Sequence, residues 1–116
     1  MNNANDQLRH FTGTSNWYRH LFTGLLYTDG IKAMAVQFQA YWLIDLVFSH
    51  QVTPRLQKEA FQTWELNRIK GNQFLATCTD GNENILCKQV IPFSDFSADT
   101  LKMFYTNGVL MLPSEY

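Results

Sequence analysis

The chain has little of what pins a fold from outside its core. Two cysteines are present in 116 residues, Cys78 and Cys87, too few for a disulfide framework and without the C-x-x-C spacing of a zinc site. They fall on two arms of one expected hairpin and face each other only if Asn82 and Glu83 form the turn centre. Asp80-Gly81 is the better turn former, so the thiols are expected to be free, in a reducing compartment. Neither sign of charge is in excess: Lys and Arg number 9 against 10 Asp and Glu, a net charge of −1. The nearest approach to a basic stripe, Arg55, Lys58, Arg68 and Lys70, is interleaved with Glu59 and Glu65, so no nucleic-acid binding is expected. The apolar stretch 33–48 is interrupted by Gln37, Gln39 and Asp45 and falls short of the roughly twenty mostly apolar residues of a membrane span. The start, MNNANDQLRH, lacks the charged-then-apolar order of an export signal. The expectation is a cytoplasmic protein without membrane attachment, its residues 1–6 disordered.

What is abundant is apolar and aromatic: 46% of residues are hydrophobic and 15% aromatic. A chain of this size buries roughly two thirds of its unfolded surface, so a single domain over 1–116 with one core is expected. Thr28 can cap a helix and Asp29 complements its dipole, which predicts a helix from Asp29 that stops before Pro54. Along it Ile31, Met34, Phe38, Tyr41, Asp45 and Phe48 recur in steps of three and four, on one face. Its second half is apolar nearly all round, through rows containing Leu43 and Val47 and Trp42 and Leu46. Asp45 then sits inside a buried stripe and needs a partner there.

After VTPRLQKE the hydrophobic period falls to two. AFQTWELNRI, FLATCT and ENILCKQVI, separated by KGNQ and DGN, predict a three-stranded antiparallel meander. Its buried sets are Trp64 with Leu66, Phe74 with Ala76 and Cys78, and Ile85 with Cys87 and Ile91. Ser97 is expected to cap a second helix that turns Leu101, Phe104 and Tyr105 inward and ends at Asn107-Gly108, before VLMLP as a short strand or tail. The predicted class is α+β: a three- to four-stranded antiparallel sheet packed against a long central helix and a shorter C-terminal helix.

No residue set forms a catalytic signature. His10, His20 and His50 contain no i,i+4 pair for a metal, and Ser49 and Cys78 lack a nucleophile elbow or a cysteine-protease motif, so neither catalytic residue, metal nor cofactor is expected. The helix start at TDG is an anion site in principle, but Asp29 repels an anion, which favours capping. Asp45 is expected to be largely buried and to hold the irregular N-terminal segment, accepting from Arg9, His10, Arg19 or the N–H groups of FTGTSN. His50, in the last helical turn, complements the dipole. Phe11, Trp17, Tyr18, Phe22 and Tyr27 crowd the least regular segment; most are expected to pack, with part left exposed as a contact patch beside Arg9 and Arg19. The candidate binding residues are Asp45, Arg9, His10, Arg19, His50, Trp17 and Tyr18.

The blocks LRHFTGT at 8–14, WY at 17–18, YTDG at 27–30, AYWLID at 40–45, SHQ at 49–51, DG at 80–81, Gln89 with IPFSDF at 91–96, and NGVLMLPSEY at the end cover almost the whole length. In combination they resemble a family of small bacterial and mobile-element proteins that is classed as a domain of unknown function. The resemblance implies a single domain and no particular activity. Abundant aromatics without a catalytic constellation point to a non-enzymatic interaction module, homodimeric or acting on a protein partner. The alternative is a small-ligand protein or enzyme with a polar pocket around Asp45 and the N-terminal Arg and His residues.

Overall fold

The computed structural model describes residues 2–116. It contains four short helices, α1 (Ala4–Leu8), α2 (Asp29–Gln37), α3 (Tyr41–His50) and α4 (Pro54–Gln57). Seven strands accompany them: β1 (Trp17–Arg19), β2 (Leu26–Thr28), β3 (Phe61–Lys70), β4 (Gln73–Thr79), β5 (Ile85–Ile91), β6 (Thr100–Thr106) and β7 (Val109–Met111). The strands form one mixed sheet in the order β1-β2-β7-β6-β3-β4-β5, parallel only between β2 and β7. This overturns the expected architecture in three places: the sheet has seven strands, the long helix is broken, and the C-terminal helix is a strand.

The helix begins as expected, with Thr28 at the N-cap accepting from the Ile31 N–H, but it ends at Gln37, five residues into AMAVQFQAYW. Gln39 takes the left-handed conformation at φ 52°. The N–H of Ala40 then reaches back to the Ala35 carbonyl at 2.8 Å and that of Gln39 to Val36 at 3.4 Å. This is the paired bonding of a Schellman stop, and both Ala35 and Ala40 are fully buried. Glycine or asparagine normally marks such a stop; glutamine gives no warning. The interruption also resets the helical phase. Ile31, Met34 and Ala35 are buried on α2 and Phe38 at its C-cap, whereas α3 buries Leu43, Ile44, Leu46, Val47 and Phe48. Tyr41, 46% exposed, is turned outward, and Asp45 is exposed on the same side.

The segment expected to be the second helix alternates instead. Leu101, Met103 and Tyr105 are buried while Lys102 is exposed and Thr100, Phe104 and Thr106 are half-buried. Asn107 and Gly108, at φ 54° and 75°, are not a helix stop. Thr106 pairs with Val109 across them, so both central residues of a tight hairpin have positive φ, the geometry that Asn-Gly favours. Phe104 faces outward with Phe61 and Tyr116 packed against its ring, and Ser97 is an exposed loop residue. That loop is tied down by Arg68, which donates to Asp99 at 2.8 Å, to the Phe96 carbonyl at 2.9 Å, to the Ala98 carbonyl at 3.1 Å and to the Gly71 carbonyl.

The meander over 61–91 is present as β3, β4 and β5, with a different register at its second turn. Cys78 stands opposite Cys87, the arrangement centred on Asn82 and Glu83 rather than on Asp80-Gly81. Asp80 organises the loop by accepting from the N–H groups of Asn82 and Asn84 and from the Asn84 amide. A bulge beside this pair rotates Ile85 out to 49% exposure and puts Leu86 inward in its place.

The chain start, expected to be disordered over 1–6, includes a short helix from Ala4. Asn3 caps α1, which buries Ala4 and Leu8, and the Asn5 side chain exchanges two bonds with the backbone of Lys102, at 2.7 and 2.9 Å. It thereby completes the edge of β6 where short β7 leaves it open. Met1 lies outside the described residues. No helix among the described residues is long and apolar enough to cross a membrane.

Candidate functional site

Asp45 is neither buried nor bonded to the expected donors. Its side chain is 67% exposed and accepts at 2.7 Å from Nε2 of His20, itself only 11% exposed. The other ring nitrogen faces the Thr23 hydroxyl at 2.9 Å and the Thr23 N–H at 3.3 Å. A backbone N–H only donates, so Nδ1 is the acceptor and Nε2 carries the proton that Asp45 receives. The hydroxyl, imidazole and carboxylate stand in the order of a nucleophilic triad. Yet Thr23 Oγ1 also accepts from the Leu25 N–H at 3.2 Å, which commits it to a turn. The His20 N–H donates to Leu25 and its carbonyl accepts from Gly24. The arrangement therefore fixes loop 20–25 between β1 and β2, and anchors that loop to α3 through Asp45.

Fixing this loop has a consequence at its tip. Leu21 and Phe22 are 87% and 88% exposed, although the loop carrying them is closed by five bonds within it. Beside them lies a cleft of about 630 Å³. Its walls are the loop at Phe22, Thr23 and Leu25, the α3–α4 connection and α4 at Val52 and Leu56, and the sheet at Tyr105. Gln51 closes the far side through a buried network. Its amide exchanges bonds with that of Gln62 at 2.8 and 2.9 Å. Gln62 also accepts from the Trp64 indole at 2.9 Å and donates to the Leu56 carbonyl. Burial in the cleft wall pushes the Tyr105 phenol up from its ordinary value.

The remaining candidates are scattered. Arg9 lies in a shallow hollow with Asn3, Asn5, Asp6 and Lys102. His10 is exposed and tilted against Phe11. Arg19 reaches the Gly24 carbonyl at 3.1 Å, which adds it to the loop's supports. His50 bonds to Gln89 on β5 at 2.7 Å and packs beside Trp64. Trp17, on the sheet's edge strand, is 56% exposed. Tyr18 is half-buried against Tyr27, under the ammonium of Lys32. None of Asp45, Arg9, His10, Arg19 and His50 lines the cleft.

The role expected of Asp45 belongs to Asp29. It accepts from the Ser15 and Asn16 N–H groups, the Asn16 amide and the Tyr18 hydroxyl, and so holds the TSN segment. The Ser15 bond above all keeps its carboxyl below the usual range. The anion at the start of α2 comes from within the chain. Glu115 accepts from the Thr28 hydroxyl at 2.6 Å and the Gly30 N–H at 3.0 Å, where the positive helix end favours it.

Residues 2–116 match the family of unknown function DUF6876. The chain belongs to that family. No curated protein and no solved structure matches it significantly. In this member the YTDG and LPSEY blocks meet in space: a Cβ on Gly30 would lie 2.5 Å from Glu115 Oε1 and 2.7 Å from Leu112 Cδ1. Three things were missed from the sequence: the cleft, the Gln51–Gln62 pair and Glu115. Only Gln62 left a signal, as a polar residue at an inward position of β3, in phase with Trp64 and Leu66.

Proposed function

We propose that the protein is a non-enzymatic interaction module that binds a protein partner, or a second copy of itself, through loop 20–25 and the mouth of the cleft. The observation that carries this reading is the pair Leu21 and Phe22, more than four-fifths exposed on a loop held from both sides by His20, Thr23, Arg19 and Asp45. Single exposed apolar residues need no explanation. Two adjacent ones on a loop ordered in advance lower the entropic cost of association. Val52, 67% exposed and part of the same cleft, extends the apolar surface.

The alternative, a ligand pocket around Asp45 with N-terminal Arg and His residues, has less support: the carboxylate is largely solvated and the cleft is lined by other residues. A bacterial or mobile-element setting in the cytoplasm, where both thiols stay reduced, belongs to the same proposal and is supported by the sequence blocks and the free cysteines. A net charge of −1 supports a partner other than nucleic acid.

The test compares the wild type with a Leu21→Ser, Phe22→Ser double variant, both checked for the same fold by circular dichroism. Polypeptides retained from cell extract are quantified in parallel with a separately tagged copy of the chain. At least one of these should depend on the two residues; identical retention by both proteins contradicts the proposal.

A further inference from the structure

We propose that the cleft beside loop 20–25 receives a lysine or arginine side chain of the partner protein, its cationic head between Glu59 and the Tyr105 hydroxyl. This rests on the interaction-module reading and names the chemistry of its partner. Glu59 is the one charged residue lining the cleft. It is half-buried, and it takes part in none of the three ion pairs among the described residues.

Tyr105 supplies a second, independent observation. It is 9% exposed, and its hydroxyl has no hydrogen-bond partner among the described residues. No fully buried side-chain polar atom there lacks a partner, so this hydroxyl is not sealed from solvent, and Tyr105 is one of the residues that line the cleft. A carboxylate and a phenol oxygen without partners, in walls otherwise built of Leu25, Val52, Leu56 and Ala60, suit a donor-rich cation on an aliphatic stem.

Other occupants fit less well. An anion would meet the Glu59 charge with no Lys, Arg or His in the lining to offset it. A neutral apolar group would cover Glu59 and Tyr105 without bonding to either, which costs free energy. Phe22 at the mouth offers a ring face to a passing cation. A cleft of about 630 Å³ exceeds one side chain, so backbone flanking the bound residue would lie across Leu21 and Phe22.

The test is a titration of isotope-labelled protein, followed by backbone amide shifts, with Nα-acetyl-lysine methylamide. Nα-acetyl-norleucine methylamide, which keeps the stem and lacks the charge, and n-butylamine serve as comparisons. Saturable shifts at Glu59, Tyr105 and Gly108 are expected with the lysine derivative and not with norleucine. Glu59→Gln should weaken binding about tenfold, the ratio for one charge-assisted bond, and Tyr105→Phe should weaken it by a smaller factor. Equal shifts from norleucine, no response to lysine, or full affinity in both variants would overturn the proposal. Butylamine binding as tightly as the lysine derivative would assign the site to a free amine and overturn it as well. If lysine fails while a partner still depends on Leu21 and Phe22, this inference falls and the module stands. If no partner depends on them, the module reading falls on its own evidence.

Discussion

Replacing Gln62 by leucine removes the centre of the network behind the cleft while nearly keeping its volume. Gln62 is fully buried and serves the Gln51 amide, the Trp64 indole and the Leu56 carbonyl. Leucine would leave the Trp64 N–H and the Gln51 carbonyl oxygen without partners; Gln51 Nε2 keeps its bond to Val47. Each orphaned buried group costs about 1–3 kcal/mol, and the added apolar burial offsets part of that. The net loss should be about 2–4 kcal/mol, a large share of the roughly 5–15 kcal/mol that holds a domain together. In urea this is a midpoint shift of roughly 1–2 M at unchanged slope. Gln51→Leu with Gln62→Leu should cost less than the sum of the single changes, because each removes the other's orphan. A loss under about 0.5 kcal/mol for Gln62→Leu, typical of surface changes, would refute the claim that this buried network holds the far side of the cleft together.

Three further outcomes follow from the same reasoning. Gly30→Ala gains helix propensity of about 0.5–1 kcal/mol but forces Glu115 and Leu112 away from contacts of 2.5 and 2.7 Å. It should destabilise by about 1–3 kcal/mol in denaturant titration, and a stabilised variant would contradict the Glu115 capping geometry. Asp45→Asn should cost less than about 0.5 kcal/mol by the same measurement, since its carboxylate is largely solvated; a larger loss would restore it as a structural staple. Asp29, Asp80 and Asp99 titrate below their ordinary 3.8 when folded. Their stabilisation is therefore fully present above that value and lost as pH falls through the lowered values. Asp29→Asn should flatten the acid side of a thermal-stability profile, and an unchanged profile would contradict its role in holding residues 15 and 16.

The parts of the fold that could be read from the sequence are those whose local signals agree with their surroundings. Thr28 and Asp29 announce the start of α2, and the alternation around Trp64 and Phe74 announces the meander. The break after Gln37 was hidden because a glutamine occupies the left-handed position, and one hidden turn changed the face on which Asp45 lies. β6 differs from the expected helix although its alternation over 100–106 is plain: Asn107-Gly108 serves equally as a helix stop and as a hairpin turn, and Ser97 resembles a helix cap. The β2–β7 pairing joins residues 26–27 with 109–110, a separation that no local pattern encodes. For the proposed site, the aromatic segment pointed to the stretch that contains loop 20–25 but not to its tip. Leu21 and Phe22 are exposed because loop 20–25 is closed by contacts from His20, Thr23 and Asp45, and Asp45 lies on α3, 25 residues beyond His20.

The most direct test of the interaction reading is a photo-crosslinking residue, benzoylphenylalanine, placed at position 22 of the otherwise unchanged chain in its host cell. A discrete adduct with one polypeptide, abolished by Val52→Asp on the facing wall, is the predicted result. Its absence, with the folded protein present at normal levels, would contradict the claim that loop 20–25 is a contact surface.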